Sequence, residues 1–515
     1  MRLAEVWLRQ FQGIGELQLP LDDATTVLAE NAWGRRSFLN ALDKVLGPHG
    51  LDAEFTDDDF HQNCNWLSIT LTFVERHGGH WRRLRYRPLR ALMWGEADGH
   101  MRLKLRWQVY RGQSPQVAFI NADGDAITHP DSERLARHLL TLHPMLRLGY
   151  LQDDHPQRGA LFQQWLDNPE GPTEQQMQEG LAAVRELLAR YLGHERRRQP
   201  RRDKAAIARQ PINWQAIRTL EQVAEQHASR QARLALLGLF GALIGQEAVR
   251  PFARLARPLL VLDNPELRLH PVMLATFWSL VEQLPLSRLL LTQSPELLGA
   301  QDLLSIRRLL RRQGNLQCFR LTHHLRNDDY RRIGFHLRVN RPASLFARGW
   351  LLVEGETEIW LMSELAHIAG IHLAAEGIRV IDFAQCGLRP LLHLAKDMGI
   401  AVHVLCDGDE AGNRYAATTA AIAGEQAVTR LPEQDIEHFF YQQGYKAAFL
   451  QLARWHGAAG SPGQVIRAAM HRHSKPALAL ALAELAGERG KEGVPPLLRR
   501  LFASLRQQAL AQAPK

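Results

Sequence analysis

The feature that most restricts what this 515-residue chain can fold into is an ordered alternation in its last third. Short buried-strand runs are each followed by a helical stretch, and acidic residues stand where strands stop. Gly349-Trp-Leu-Leu-Val is an apolar run that ends at Glu354, Gly355 makes the turn, and Glu358 lies in the first turn of a helix with Ile359, Leu361, Met362, Leu365 and Ile368 on its apolar side. Gly370 closes that helix. A strand at 378–383, a helix at 388–398 and a strand at 400–406 follow, and the last delivers Asp407-Gly-Asp409-Glu-Ala-Gly412. This is βαβ grammar, which predicts a parallel sheet. Carboxylates at the carboxyl ends of parallel strands converge on one edge, where doubly wound folds place their ligands. Several acids at one edge repel one another without a bound cation, and hard carboxylate oxygens suit Mg²⁺ or Mn²⁺. The plainer alternative is a turn and a helix cap, since Asp-Gly is a common turn signal and Glu358 is favourably placed at a helix N-terminus. With both acidic segments at companion strand ends, the metal reading is the stronger.

A second frame lies near the amino end, in a third of the chain rich in β-forming runs (2–11, 66–75, 102–110). Thr25-Thr-Val-Leu-Ala-Glu reads as a strand, Asn31-Ala-Trp-Gly-Arg-Arg as a loop, and Ser37 as the opening of a helix carrying Phe38, Leu39, Ala41, Leu42 and Val45. That is the setting of a phosphate-binding loop, in which glycines let backbone N–H groups wrap phosphate, a lysine reaches the terminal phosphates and a hydroxyl holds magnesium. Here Ala29, Gly34, Arg35 and Arg36 stand at the motif positions: one glycine remains, a planar guanidinium replaces the ammonium, and Ser37 comes one residue late. Downstream, Leu259-Leu-Val-Leu-Asp263-Asn264-Pro265-Glu266 resembles the Walker B segment of ABC-type and RecF/SMC-like ATPases. Asp263 matches the magnesium-side acid, but Asn264 stands where the water-activating glutamate belongs, and an amide cannot act as a base. Gln293 stands where a switch histidine is expected. Gly34, Arg35, Ser37 and Asp263 are thus what remains of a nucleotide site, ATP is a doubtful cofactor, and a retained scaffold is the better reading than a working ATPase. Arg35 and the helix N-terminus still favour phosphate weakly.

Glu-Gly-x-x-Glu followed by Asp-Gly-Asp resembles the Toprim domain shared by topoisomerases, primases and certain nucleases. A Toprim domain directly after a RecF/SMC-like ATPase is the architecture of the overcoming lysogenization defect (OLD) family of nucleases. Asn31-Ala-Trp-Gly, Ser344-Leu-Phe-Ala-Arg-Gly and Phe383-Ala-Gln-Cys-Gly-Leu-Arg-Pro resemble the YbjD-like branch of that family, which carries a DUF2813-type region. The resemblance implies two-metal hydrolysis of phosphodiesters, DNA as substrate, and a helical insert that mediates homodimerisation. It implies Glu354, Glu358, Asp407, Asp409 and Glu437 as metal ligands, with Glu354 and Asp407 at the catalytic centre, and Lys475 as the cation that neutralises developing phosphate charge. For Lys475 the alternative is an exposed lysine ahead of a helix with Pro476 in its first turn. No tyrosine nucleophile in a strand-passage domain argues for a topoisomerase, and no polymerase machinery argues for a primase.

The predicted organisation is α/β: an ABC/SMC-like P-loop fold at 1–150 and 246–345, interrupted by a helical insert at 151–245, then a Toprim domain at 346–435 and a helical region at 436–515 that completes its site. The insert shows an apolar period at Leu181, Val184, Leu188 and Tyr191, broken at 196–204, where six of nine side chains are cationic. That segment is the better candidate for DNA contact. The alternation of Arg102, Lys104 and Arg106 with Leu103, Leu105 and Trp107 reads first as a solvated sheet face. A net charge of +9 and a sequence pI near 9.6 lean toward an acidic partner. Four cysteines without a C-x-x-C spacing give neither a disulfide framework nor a zinc site, so a reducing cytoplasm is expected. The longest apolar run, 234–245, is too short for a membrane span. The leading function is a metal-dependent DNA endonuclease with an inactive ATPase domain. The rival is a non-catalytic DNA-binding or complex-organising protein that keeps both folds.

Overall fold

The computed structural model describes residues 1–149 apart from 30, 31, 48 and 63, residues 257–267, and residues 286–511 apart from 313, 314 and 457–459, with scattered positions at 173–182 and 274–282. Leu181, Val184, Leu188, Tyr191 and the basic stretch 196–204 lie outside the described residues. The chain forms two units. One comprises Met1–Gln301 with Ser305–Leu309 and Gln313–Cys318, and the other comprises Phe319–Lys515 with Asp302–Leu304 and Leu310–Arg312.

In the first unit β1 (Arg2–Phe11), β2 (Ile14–Pro20), β4 (Trp66–Val74), β5 (Trp94–Gly95), β6 (Met101–Tyr110) and β7 (Gln116–Ile120) form a sheet of order β2-β1-β4-β6-β5, with β7 also on β6. Its pairings are antiparallel. Alternation decides which face is dry: Leu103, Leu105, Trp107 and Val109 are buried, and Arg102, Lys104 and Arg106 point the other way. Arg102 is paired with Glu96 at 2.9 Å and Asp98 at 2.5 Å, and Arg106 donates to the Gly124 carbonyl at 3.2 Å. The alternation is present, but the cationic face it predicts is half-buried, with Arg102 and Arg106 tied to neighbouring acids and a carbonyl.

A second sheet has the order β12-β11-β3-β10-β9-β8. Its strands are β3 (Ala24–Ala29), β8 (Met145–Gly149), β9 (Leu259–Asp263), β10 (Ser287–Leu291), β11 (Ile306–Arg312) and β12 (Asn315–Phe319). The pairs β8–β9, β9–β10, β10–β3 and β3–β11 are parallel, and β9 is buried along its whole length, as a strand covered on both faces must be. Strand β10 thereby separates β3, which leads into the degenerate phosphate loop, from β9, which ends at Asp263. The helix after β3, α1, spans Ala32–Leu46, so it opens five residues ahead of Ser37, the predicted start. Ala32, Arg35 and Arg36 are strong helix formers, and with one glycine left nothing keeps the segment extended. Phe38, Leu42 and Val45 of α1 share one buried cluster with Val6, Leu8, Ile69 and Trp107.

The second unit is built on a four-stranded sheet, order β14-β13-β15-β16, in which all pairings are parallel. Its strands are β13 (Gly349–Val353), β14 (Ile378–Asp382), β15 (Ala401–Cys406) and β16 (Val428–Arg430). Helices α2 (Glu356–Ile368), α3 (Leu388–Asp397) and α4 (Glu410–Ala423) are interleaved with them. Helices α5 (Ile436–Phe440), α6 (Lys446–Leu452), α7 (Pro462–Arg472), α8 (Lys475–Glu488) and α9 (Pro496–Ala511) follow. Met362 and Leu365 of α2, Leu478 and Leu482 of α8, and Phe502 and Leu505 of α9 are buried in one cluster with Leu351 and Val353. At about 1.5–3 kcal/mol for each such side chain, this packing fixes the carboxyl-terminal helices against the acidic strand ends.

Candidate active site

Strands β13 and β15 are adjacent and parallel, paired up to Leu352 and Val404, and the residues that immediately follow them are Glu354 and Asp407. The chain beyond Asp407 is packed tightly. Gly408 donates its N–H to the Glu433 carbonyl at 2.9 Å, and a Cβ there would lie 2.3 Å from that oxygen. A Cβ on Gly412 would lie 2.0 Å from the carbonyl oxygen of Asp407. Both glycines are therefore demanded by space. Asp409 caps α4, its Oδ1 accepting the Gly412 N–H at 2.6 Å. Glu358 lies in the first turn of α2. Glu437, 6% exposed, lies in the first turn of α5, which Asp435 caps by accepting the His438 N–H at 2.8 Å while pairing with His438 Nδ1 at 2.6 Å. Lys475 is the exposed first residue of α8, after the Ser474 cap, with Pro476 beside it in the first turn.

The electrostatics tie these groups to one place. Burial pushes the Glu354 carboxyl above its usual range, Asp409 and Glu358 push it further, and Lys475 opposes them. Glu354 Oε2 is buried with no hydrogen-bond partner. Asp407 is pushed up to about 8, first by burial and then by Glu354, Glu358, Asp435 and Glu437. Glu437 is raised by burial first and then by Asp435 and Glu358, against the pull of its backbone hydrogen bond and of Lys475. An unpartnered buried carboxylate oxygen within a group of mutually repelling acids fits a hard divalent cation. Among the described residues no three His, Cys, Asp or Glu side chains close into a ready ligand cage. The fit rests on the donor chemistry and on the strand ends that carry it. Asp435 was not foreseen, although its place two residues before Glu437 and its cap-forming side chain were visible in the chain.

Asp407 gives a pH dependence whose sign is fixed. An unfolded aspartate ionises near 3.8, and in the fold this one holds its proton up to about 8, so the folded state binds the extra proton between those limits. The stability this proton supplies is fully present below about pH 4 and is lost as pH rises through about 8. In metal-free buffer the melting midpoint of this unit falls across that interval, and Mn²⁺ restores it at the upper end. Asp407→Asn flattens the profile, raising the midpoint by roughly 2–4 °C for each kcal/mol of repulsion relieved. Scanning calorimetry over that range is the check, and a flat wild-type profile contradicts it.

The nucleotide frame is occupied by the protein's own charges. Asp263, 8% exposed, has Arg147 at 3.0 Å from Oδ2 and Arg35 Nε at 3.7 Å from Oδ1. Arg35 also donates to Asn264 Oδ1 at 2.8 Å, and Arg147 pairs with Asp43 of α1. Asn264 takes a left-handed φ of +46°, which asparagine tolerates better than most residues. Glu266 Oε1 accepts from the Gln293 N–H at 2.7 Å and from Thr292 Oγ1 at 3.0 Å, tying the ends of β9 and β10 together. Gly34 and Ser37 are buried within α1, Ser37 at 2% exposure. The sequence reading found Arg35 and Asp263 but not Arg147 or Asp43; its one available signal was a cation inside the otherwise apolar Met145-Leu-Arg-Leu-Gly strand.

Among the described residues no helix is long and apolar enough to cross a membrane. Comparison with known proteins gives matches at each level. A family described as "Protein of unknown function (DUF2813)" matches residues 1–344. The "Overcoming lysogenization defect protein-like, TOPRIM domain" family matches residues 345–409. An Escherichia coli protein described as uncharacterized protein YbjD is 37% identical over 541 residues, covering 98% of each chain. The carboxyl-terminal region of the Xanthomonas campestris pv. campestris OLD protein is 18% identical over 33% of this chain and 96% of its own, with a TM-score of 0.28. The SMC head domain from Thermotoga maritima is 14% identical over 63% of this chain and 100% of its own, with a TM-score of 0.32. The family matches, with an α/β first unit and an all-parallel Toprim sheet bearing acids at its strand ends, place the chain: it belongs to the DUF2813-bearing, OLD-like family of ATPase–Toprim proteins.

Proposed function

We propose that the second unit is a divalent-metal-dependent endodeoxyribonuclease, with Glu354, Glu358, Asp407, Asp409 and Glu437 holding Mg²⁺ or Mn²⁺. The observation that carries this reading is the buried, unpartnered Glu354 Oε2 beside an Asp407 whose proton is retained up to about 8. A two-ion centre of this type supplies an activated water and stabilises the leaving 3′-oxygen. Asp407, at the end of β15, presents its carboxylate from a backbone closely packed at Gly408 and Gly412. Lys475, whose charge acts on both Glu354 and Glu437, supplies positive charge for a phosphate that gains negative charge during reaction. Incubated with supercoiled plasmid and Mn²⁺ or Mg²⁺ but no ATP, the protein nicks and then linearises the DNA, and EDTA abolishes the reaction. Cutting that survives EDTA, or no cutting in either metal, overturns the reading.

We further propose that the first unit does not turn over ATP. Arg35 and Arg147 stand at Asp263 where a magnesium–nucleotide would bring positive charge, and Asn264 offers no base. Phosphate release is expected at background, with Asp263→Ala no lower than wild type. A wild-type rate above background that disappears in Asp263→Ala contradicts this. The sealed frame favours the scaffold reading for the first unit only. The domain limits 1–150, 151–245, 246–345, 346–435 and 436–515, a homodimer through the helical insert, DNA as the partner and a cytoplasmic location complete the proposal.

A further inference from the structure

Between Glu75 and Glu96 the chain carries six arginines and no acidic residue. The segment leaves β4 and forms two tight helical turns, His80–Arg82 and Leu84–Leu92, held down by buried Tyr86, Leu89 and Leu92. Trp81 has the Arg82 guanidinium 5.6 Å and the Arg90 guanidinium 5.3 Å from its ring, and Arg90 donates to the Arg82 carbonyl at 2.5 Å. Two of the six are used inward: Arg76 pairs with Asp23 at 2.9 Å, and Arg85 is buried. Arg82, Arg83 and Arg87 are exposed, and among the described residues Arg83 and Arg87 have no acidic partner. Three exposed arginines elsewhere behave differently. Arg134, Arg326 and Arg332 are each paired with an aspartate three or four residues away. Leu84, in the middle of the cluster, is 80% exposed. His80, at the base of the turn, is held down to about 3, first by burial and then by the amino terminus, Arg83, Arg85 and Arg76, as a concentrated positive potential requires.

We propose that this arginine-rich turn is a docking surface for the phosphodiester backbone of DNA, with Arg82, Arg83 and Arg87 on the phosphates. It rests on the proposed function only in naming the same polymer. The occupant follows from charge complementarity: guanidinium forks pair with phosphate oxygens in two-point contacts, and a run of cations without acids matches a run of phosphates. Leu84 offers an apolar contact to sugar, with no information about base sequence.

The test is fluorescence anisotropy of a labelled DNA duplex with the full chain in EDTA, across a salt series. The combined variant Arg82→Ala, Arg83→Ala and Arg87→Ala is expected to bind about tenfold or more weakly at low salt, with a salt slope shallower by about 2–3. A control combining Arg134→Ala, Arg326→Ala and Arg332→Ala removes the same charge from residues already paired, and it leaves affinity and slope near wild type. Lysine at all three docking positions keeps the slope, because a point charge still displaces counterions. Unchanged folding is confirmed by the melting midpoint, since all three side chains are exposed. Equal loss in the control assigns binding to net charge and overturns the proposal, as does wild-type affinity in the docking variant. Tighter binding to polyglutamate than to DNA assigns the surface to an acidic protein and also overturns it. Weakened binding by the docking variant of a protein that never cuts DNA leaves this surface standing and removes the nuclease reading. Cutting lost in Asp407→Ala with normal binding by the docking variant does the reverse.

Discussion

Asp407→Ala is expected to reduce the proposed metal-dependent nicking of supercoiled DNA by about a thousandfold or more while leaving the fold intact. The reason is positional. Asp407 ends the strand next to Glu354, and Glu354, Glu358, Asp435 and Glu437 all raise its carboxyl, so it is the group on which the acidic cluster converges. Removing it would take away the carboxylate that the other acids act on together and that would hold the divalent cation at the end of β15. Above about pH 8, where Asp407 is ionised, its removal relieves repulsion among the buried acids, so the variant should melt no lower than wild type there in metal-free buffer. Plasmid nicking rates and calorimetric Mn²⁺ titration of the two proteins are the measurements. Equal cutting by both assigns the activity to a contaminant, and a variant that has unfolded is replaced by Asp407→Asn.

Lys475→Ala is expected to slow the proposed cleavage by about 100- to 1000-fold and to leave Mn²⁺ binding within a few-fold of wild type, the size of effect seen when one preorganised transition-state donor is removed. The lysine is exposed, opens α8, and acts on Glu354 and Glu437. A lysine present only as a helix-end residue leaves the cleavage rate untouched when it is removed, so rate against binding separates the two roles. Arginine at the same position tests charge alone and should recover part of the rate.

The second unit was legible because its signals are local. Strands expected at 378–383 and 400–406 appear as Ile378–Asp382 and Ala401–Cys406, since apolar runs between glycines and acids mark their own ends. The Asp407-Gly408 step was weighed as a turn signal only in the alternative reading, and the packing shows that Gly408 and Gly412 answer a spatial demand set by Glu433 and Asp407. Ser37 misled because it looks like a helix cap, yet the helix propagates back through Ala32. Arg147 was invisible in its role, its bond to Asp263 joining residues 116 apart in the chain. The arginine-rich turn escaped for a different reason: tight turns have neither the 3.6- nor the 2-residue period by which a charged face is recognised.

The guanidiniums at Asp263 carry a further consequence. A nucleotide-driven machine alternates because its site is sometimes filled and sometimes empty, and each filling resets the clock. If, as proposed, Arg35 and Arg147 stand in for the missing cation, the site is filled from the moment of folding and keeps no time. On the proposed reading, timing in such a protein passes to whatever sets the supply of metal and of DNA.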